Sequence, residues 1–221
     1  MGFLERETVK STNPTKRFLE WKGGNGQGFF QYYDKEKEEN VEVPSPLTFV
    51  VLEEYATIKG WSDSEQAGIY SNEVLRTTDE ELNVRTFSGK KIASGIYKEI
   101  KERIVNAGGR FTKSIYIVTS DFELYNLQLK GAALKAWGEF TKENYKALKT
   151  NWVQYTGHTE GKKGAIKFFT PDFKLGSAID SNQYPKVSEV AGVFSEYMKG
   201  YASKSNDEVA QEVAQEDDVP F

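Results

Sequence analysis

Runs of β-branched and aromatic residues separated by short turns dominate this chain, and they constrain its fold more than any other feature. The segments with this composition are residues 27–34, 41–61, 68–74, 82–87, 110–121 and 122–131. Leu127 and Leu129 lie two positions apart, as expected on the buried face of a strand. Residues 151–173 predict a hairpin closed by a Gly- and Lys-rich turn.

Three segments show helical periodicity instead. The first carries an isoleucine at every fourth position, namely Ile92, Ile96, Ile100 and Ile104. This spacing predicts an amphipathic helix over residues 92–107, which Gly108 and Gly109 would end. Residues 132–148 and 185–201 predict a second and a third helix. Since the helices do not alternate regularly with strands, we expect an α+β, mostly β domain built on an antiparallel barrel or curled sheet.

Charge separates a folded body, residues 1–204, from a tail, residues 205–221. The chain has a net charge of −4, and the tail contains six acidic residues and no Lys or Arg, which leaves the body at +2. The tail is polar and acidic and has no aromatic residue before its last position, a composition typical of disorder. A basic body with an acidic tail favours a polyanionic partner.

Cysteine is absent from the 221 residues. The sequence therefore excludes disulfides, thiolate metal sites and a cysteine nucleophile. No apolar run approaches the roughly 20 residues of a membrane span, and the first ten residues lack the apolar core of a signal peptide. We expect a cytoplasmic protein that does not contact a membrane.

The sequence offers no positive signal for catalysis. His158 is the only histidine, it falls in a predicted loop, and no G-x-S-x-G motif accompanies it. The glycines of GGNGQGFF lack the preceding strand that a dinucleotide site needs. We expect no enzyme activity, no cofactor and no metal, although a hydrolase that uses two carboxylates stays open because acidic residues are numerous.

Aromatic and basic side chains recur side by side in the body, the combination that binds single-stranded nucleic acid through base stacking and phosphate neutralisation. The candidate DNA-binding residues are Trp21, Lys22, Tyr32, Tyr33, Lys59, Trp61, Tyr70, Arg85, Phe87, Arg110, Lys113, Tyr116 and Trp152. Six of them have polar or glycine neighbours and are expected to be exposed, namely Trp21, Tyr32, Tyr33, Trp61, Tyr70 and Trp152. On a strand, Lys59 would share a face with Trp61.

The last five residues form a candidate partner-binding tip: Asp217, Asp218, Val219, Pro220 and Phe221. The Phe221 ring and its α-carboxylate would fit an apolar pocket beside a cation on another protein. Pro220 favours an extended Val219, and this preference lowers the entropy lost on docking.

This DDVPF ending resembles the tip of bacterial single-stranded DNA-binding proteins. In length and plan the body is closer to the corresponding proteins of tailed bacteriophages. The resemblance implies an OB-fold-like body that binds single-stranded DNA during replication, recombination or repair, and a tip that recruits the proteins of those processes. It also implies a bacterial or phage-infected cytoplasm and makes a homo-oligomer possible.

Two other functions remain open at this stage. One is a protein of the replication machinery that uses the same tip but does not bind nucleic acid. The other is an enzyme, such as a nuclease or glycan hydrolase, which an acidic cluster in a deep cleft would favour.

Overall fold

The computed structural model describes residues 12–24 and 26–202. Its strands are β1 (Arg17–Lys22), β2 (Phe29–Asp34), β3 (Glu39–Glu42), β4 (Leu47–Ser62), β5 (Ala67–Ser71), β6 (Leu82–Thr86), β7 (Lys91–Gly95), β8 (Gly109–Thr119), β9 (Leu124–Lys130), β10 (Asn151–Lys163) and β11 (Ile166–Ala178). Its helices are α1 (Tyr97–Asn106), α2 (Gly131–Asn144) and α3 (Tyr184–Ala202). The fold class is therefore α+β with strands in the majority.

The 16-residue strand β4 organises the sheet. One of its edges pairs with β8 along almost the whole strand, from Phe49 to Gly60. The other edge is divided, because β10 pairs with residues 47–49 and β5 pairs with residues 59–62. The main strand order is β3-β2-β1-β9-β8-β4-β5-β6-β7, and β10 and β11 branch from β4.

Each helix covers a different part of the sheet. Helix α1 buries Ile100 and Ile104 against Ile58 and Val84 on one face of β4–β7. Helix α2 buries Trp137 on the same side of the sheet, against the β1–β9–β8 half. Helix α3 covers the opposite side near Tyr116. Within residues 12–24 and 26–202, no helix is long and apolar enough to cross a membrane.

The β10–β11 hairpin forms the second wall of the larger core. Val153 and Tyr155 pack there against the β1–β9–β8 half of the sheet. The far end of the hairpin reaches the turn after β1, where the Phe169 amide donates a hydrogen bond of 2.8 Å to the Gly23 carbonyl. The indole N–H of Trp21 donates to the Phe169 carbonyl at 3.0 Å. These bonds bring the two walls together, but the sheet stays open.

Two expectations about the elements are wrong. The glycines of GGNGQGFF do follow a strand, because residues 17–22 form β1, which pairs in parallel with β9 inside an otherwise antiparallel sheet. Ile92 and Ile96 lie before α1, which begins at Tyr97. A four-residue spacing also places side chains on one face of a strand, since four is a multiple of the two-residue strand period. Ile92 therefore reaches the same core from β7.

The second and third helices and the 151–173 hairpin are confirmed, although α2 ends at Asn144 rather than residue 148. The OB-fold-like barrel and the division into a body of residues 1–204 and a tail stay predictions. The tail, residues 205–221, lies outside the described residues.

Helix α1 offers a test of the smaller core. Ile104 is 1% exposed, whereas its neighbour Val105 is 46% exposed. We expect Ile104→Ala to lower the free energy of unfolding by about 2–5 kcal/mol, because it removes buried methyl groups and leaves a cavity. The control Val105→Ala should change it by less than about 0.5 kcal/mol. Urea denaturation followed by circular dichroism measures both, and equal effects would show that α1 does not pack as described.

Candidate nucleic-acid interface

Four basic residues and one tyrosine form a row across five neighbouring strands. Arg110 of β8 pairs with Lys59 of β4, and Lys59 pairs with Tyr70 of β5. Tyr70 in turn pairs with Arg85 of β6, and Arg85 pairs with Lys91 of β7. Because residues directly opposite each other in a sheet share a face, the side chains of the row point to one side, and a register shift between Val84 and Arg85 brings Lys91 opposite Arg85. This side is opposite to the one that α1 covers.

Aromatic rings lie next to this row. Trp61 is two residues beyond Lys59 on β4 and is 36% exposed. Phe87 is partly buried, and its ring stacks on that of Tyr70 with centroids 4.9 Å apart and planes 17° from parallel. Tyr70 itself is only 3% exposed, so it supports Phe87 from below. We call the five-residue row together with Trp61 and Phe87 the basic face.

The residues that adjoin the row on these strands are neutral. Thr57 pairs with Thr112 on one side of it, and Trp61 pairs with Gly68 on the other. The Arg110 guanidinium donates to the Gly109 carbonyl at 3.1 Å, which holds the head group close to its own backbone while the residue stays exposed. The basic face therefore presents positive charge and exposed ring surface together, as single-stranded nucleic acid requires.

Six of the thirteen candidate DNA-binding residues lie on the basic face: Lys59, Trp61, Tyr70, Arg85, Phe87 and Arg110. Lys91 was not among the candidates, because residues 92–95 of β7 were expected to be helical and no strand was expected there. The positive φ of Gly95, 139°, marks the break between β7 and α1. The five-residue strand that ends at this glycine gave no clear periodic signal.

Lys22 and Tyr33 lie at a distance from the basic face, on β1 and β2. The Lys22 ammonium contacts the Glu20 carboxylate at 2.9 Å, and the Lys130 ammonium contacts the same carboxylate at 2.8 Å. Burial would raise the pKa of Glu20, but the charges of Lys130 and Lys22 outweigh burial and hold that pKa below its ordinary value. Lys22 is thus already paired with a carboxylate.

The expectation of exposed rings is wrong for four residues: Trp21, Tyr32, Tyr70 and Trp152. Trp21 and Trp152 are 7% and 6% exposed and belong to the core, and each indole N–H donates to a protein acceptor. The ring of Tyr32 is partly buried, and the Arg17 guanidinium carbon lies 4.1 Å from its centroid. Polar neighbours misled the prediction because, on a strand, the adjacent residue faces the other way.

Lys113 and Tyr116 do not act together. They are three positions apart on β8, so their side chains lie on opposite faces of the sheet. Lys113 contacts the Glu54 carboxylate at 3.3 Å on the α2 side. Tyr116 is 3% exposed and packs against Phe194 of α3. Neither residue is part of the basic face.

The predicted partner-binding tip, Asp217, Asp218, Val219, Pro220 and Phe221, lies outside the described residues. Its function stays a prediction from the sequence.

Comparison of the chain with family sequence models, curated proteins and solved structures found no match.

The paired Glu20 generates a prediction about acid stability. Since the folded-state pKa of Glu20 is lowered, its contribution to stability is complete above its ordinary pKa of 4.5 and is lost as the pH falls below that value. We expect Glu20→Gln to make the free energy of unfolding less dependent on pH below 4.5. The control Glu139→Gln, on the exposed surface of α2, should retain the wild-type pH dependence. Urea titrations at a series of pH values measure this, and a Glu20→Gln profile as steep as wild type would contradict it.

Proposed function

We propose that this protein binds single-stranded DNA without sequence preference, along the basic face, and has no enzymatic activity. The observation that carries the proposal is the cross-strand row of Arg110, Lys59, Tyr70, Arg85 and Lys91, with Trp61 and Phe87 beside it. Four cations on one face would neutralise phosphates, and the rings would stack on bases. Neither interaction depends on base identity.

The dimensions of the basic face suit a short stretch of single strand. Four strand-to-strand steps separate Arg110 from Lys91, so the row spans about 19 Å at 4.7–4.9 Å per step. The bound DNA would cross the sheet roughly perpendicular to strands β4–β7. Its phosphates would lie over the row, and its bases over Trp61 and Phe87. Base stacking on such rings contributes about 1–3 kcal/mol per base.

The remaining features of the resemblance belong to the same proposal. The β1–β9–β8–β4 half of the sheet and the β10–β11 hairpin would act as the OB-like body, since they enclose the larger core between two walls. The acidic residues 205–221 would recruit replication, recombination and repair proteins through Asp217–Phe221. A protein that uses this tip but does not bind nucleic acid is the alternative function, and the titrations below separate the two.

Tryptophan fluorescence tests which ring contacts the DNA. Of the four tryptophans, Trp21, Trp137 and Trp152 are at most 7% exposed, and Trp61 is 36% exposed. We expect poly-dT to quench the wild-type emission and to have little effect on that of Trp61→Phe, while the variant still binds. The control Trp152→Phe should retain the quenching. Unchanged quenching in Trp61→Phe would exclude the basic face as the stacking surface.

The salt dependence of binding tests the row. Lys59→Gln combined with Arg85→Gln should weaken poly-dT binding and reduce the slope of log K against log salt by roughly 1.4, at about 0.7 per phosphate contact on single strands. Lys98→Gln combined with Lys101→Gln removes the same charge from the exposed surface of α1 on the other side of the sheet. This control should leave the slope unchanged. Equal slopes for the two double variants, or no binding by the wild type, would contradict the proposal.

A further inference from the structure

A cleft of about 760 Å³ opens where the divided edge of β4 leaves a gap between β10 and β5. Strand β4, residues 72–75, residues 80–81 and helix α3 line it. Its volume falls within the roughly 300–1,000 Å³ of typical ligand sites. The proposed DNA-binding surface does not include any of the residues that line it.

Apolar walls and acidic residues together define what this cleft can hold. Leu52, Val74, Phe194 and Met198 supply apolar surface. The acidic lining residues are Glu53, Glu73, Glu80 and Glu81. Lys199 is the one basic residue in the lining, and it pairs with Glu196 of its own helix. A matching occupant therefore needs an apolar side chain flanked by cations.

The pKa of the Tyr55 phenol reflects the same negatively charged surroundings. Burial, followed by the nearby carboxylates of Glu53, Glu73 and Glu80, raises the pKa of Tyr55 to about 12. Nearby carboxylates disfavour an anionic phenolate in the cleft. For the same reason an acidic segment, including the tail of this chain, is a poor occupant.

The tip of the β10–β11 hairpin has the required chemistry. Ile166 is 71% exposed, the most exposed aliphatic side chain among the large hydrophobic residues of the described chain. It lies beside Lys167 and opposite Lys163, and Lys162 precedes them, all three lysines being exposed. Lys167 pairs with Glu160 at 2.9 Å. A narrow two-residue turn, Gly164 and Ala165, presents this tip.

We propose that the hairpin tip of one molecule docks into the acidic cleft of a second copy of this chain. Ile166 would enter the apolar part of the cleft, and Lys162 and Lys163 would lie against the carboxylates at its edge. The contact would bury the exposed isoleucine away from water. It would also place lysines next to the carboxylates of the cleft. The tip cannot fill the cleft of its own molecule, because Ile166 is exposed to solvent in the folded chain.

This contact joins two different surfaces, so it is heterologous and does not close on itself in a dimer. Each added molecule presents a new tip and a new cleft, and the product is a linear chain of molecules. If the proposed DNA binding also holds, such a chain would coat a single strand cooperatively. The association itself does not depend on DNA.

Two charge-reversed variants of the full chain test this contact in the absence of DNA. The tip-reversed variant is Lys162→Glu with Lys163→Glu, and the cleft-reversed variant is Glu53→Lys with Glu81→Lys. Sedimentation velocity over a concentration series should show wild-type species larger than a dimer at low salt and a shift toward monomer at high salt. Each variant alone should remain monomeric. An equimolar mixture should associate again, because each tip then meets a cleft of opposite charge.

Three results would overturn the proposal: a monomeric wild type at low salt and high concentration, association of the cleft-reversed variant alone, or a mixture that stays monomeric. The second result would point to the acidic tail as the partner of the tip. Ile166→Ser, at an exposed position that folding does not need, should weaken the association more than tenfold. Tyr145→Ser is the matched control, since Tyr145 is also exposed near lysines and should leave the association unchanged. The poly-dT titrations test the proposed function independently.

Discussion

The unequal pairing of the two edges of β4 is the constraint on which the rest of this structure depends. One edge holds β8 along nearly the whole strand, while the other holds β10 at the beginning and β5 at the end. The sheet therefore divides into two halves, each with its own core and its own helix on one side. The gap between β10 and β5 becomes the acidic cleft, and the end beyond it carries the basic face.

Successive side chains of β4 point to opposite faces of the sheet, and the two faces differ in their chemistry. Ala56 and Ile58 point into the smaller core, and Lys59 and Trp61 project on the other side. Helix α3 covers this second side near Tyr116 and near Val118, which leaves the β4–β7 end uncovered by any described helix. Negative charge around Glu53 and positive charge around Lys59 thus lie on one strand, six residues apart. Under the two proposals, a polyanion and a cationic protein segment would occupy separate parts of one molecule.

Sequence periodicity predicted the elements whose burial follows a simple repeat, such as α3 and the β10–β11 hairpin. It failed where the helical and strand periods coincide, as at Ile92, and where polar neighbours concealed a buried residue, as at Trp21 on β1. Lys59 and Trp61, two positions apart on β4, lie on one face as expected. The alignment of the row across β8, β4, β5 and β6 depends on register, which emerges only when distant strands meet.

The parallel pairing of β1 with β9 has a consequence for synthesis of the chain on the ribosome. β1 must pair with residues that follow it by more than a hundred positions. At about 5–20 residues per second, the nascent β1–β2–β3 meander waits several seconds or longer for its partner. During that interval Leu19 and Phe30 lack the neighbours that later bury them. Apolar surface that stays uncovered for that long favours aggregation of the incomplete chain.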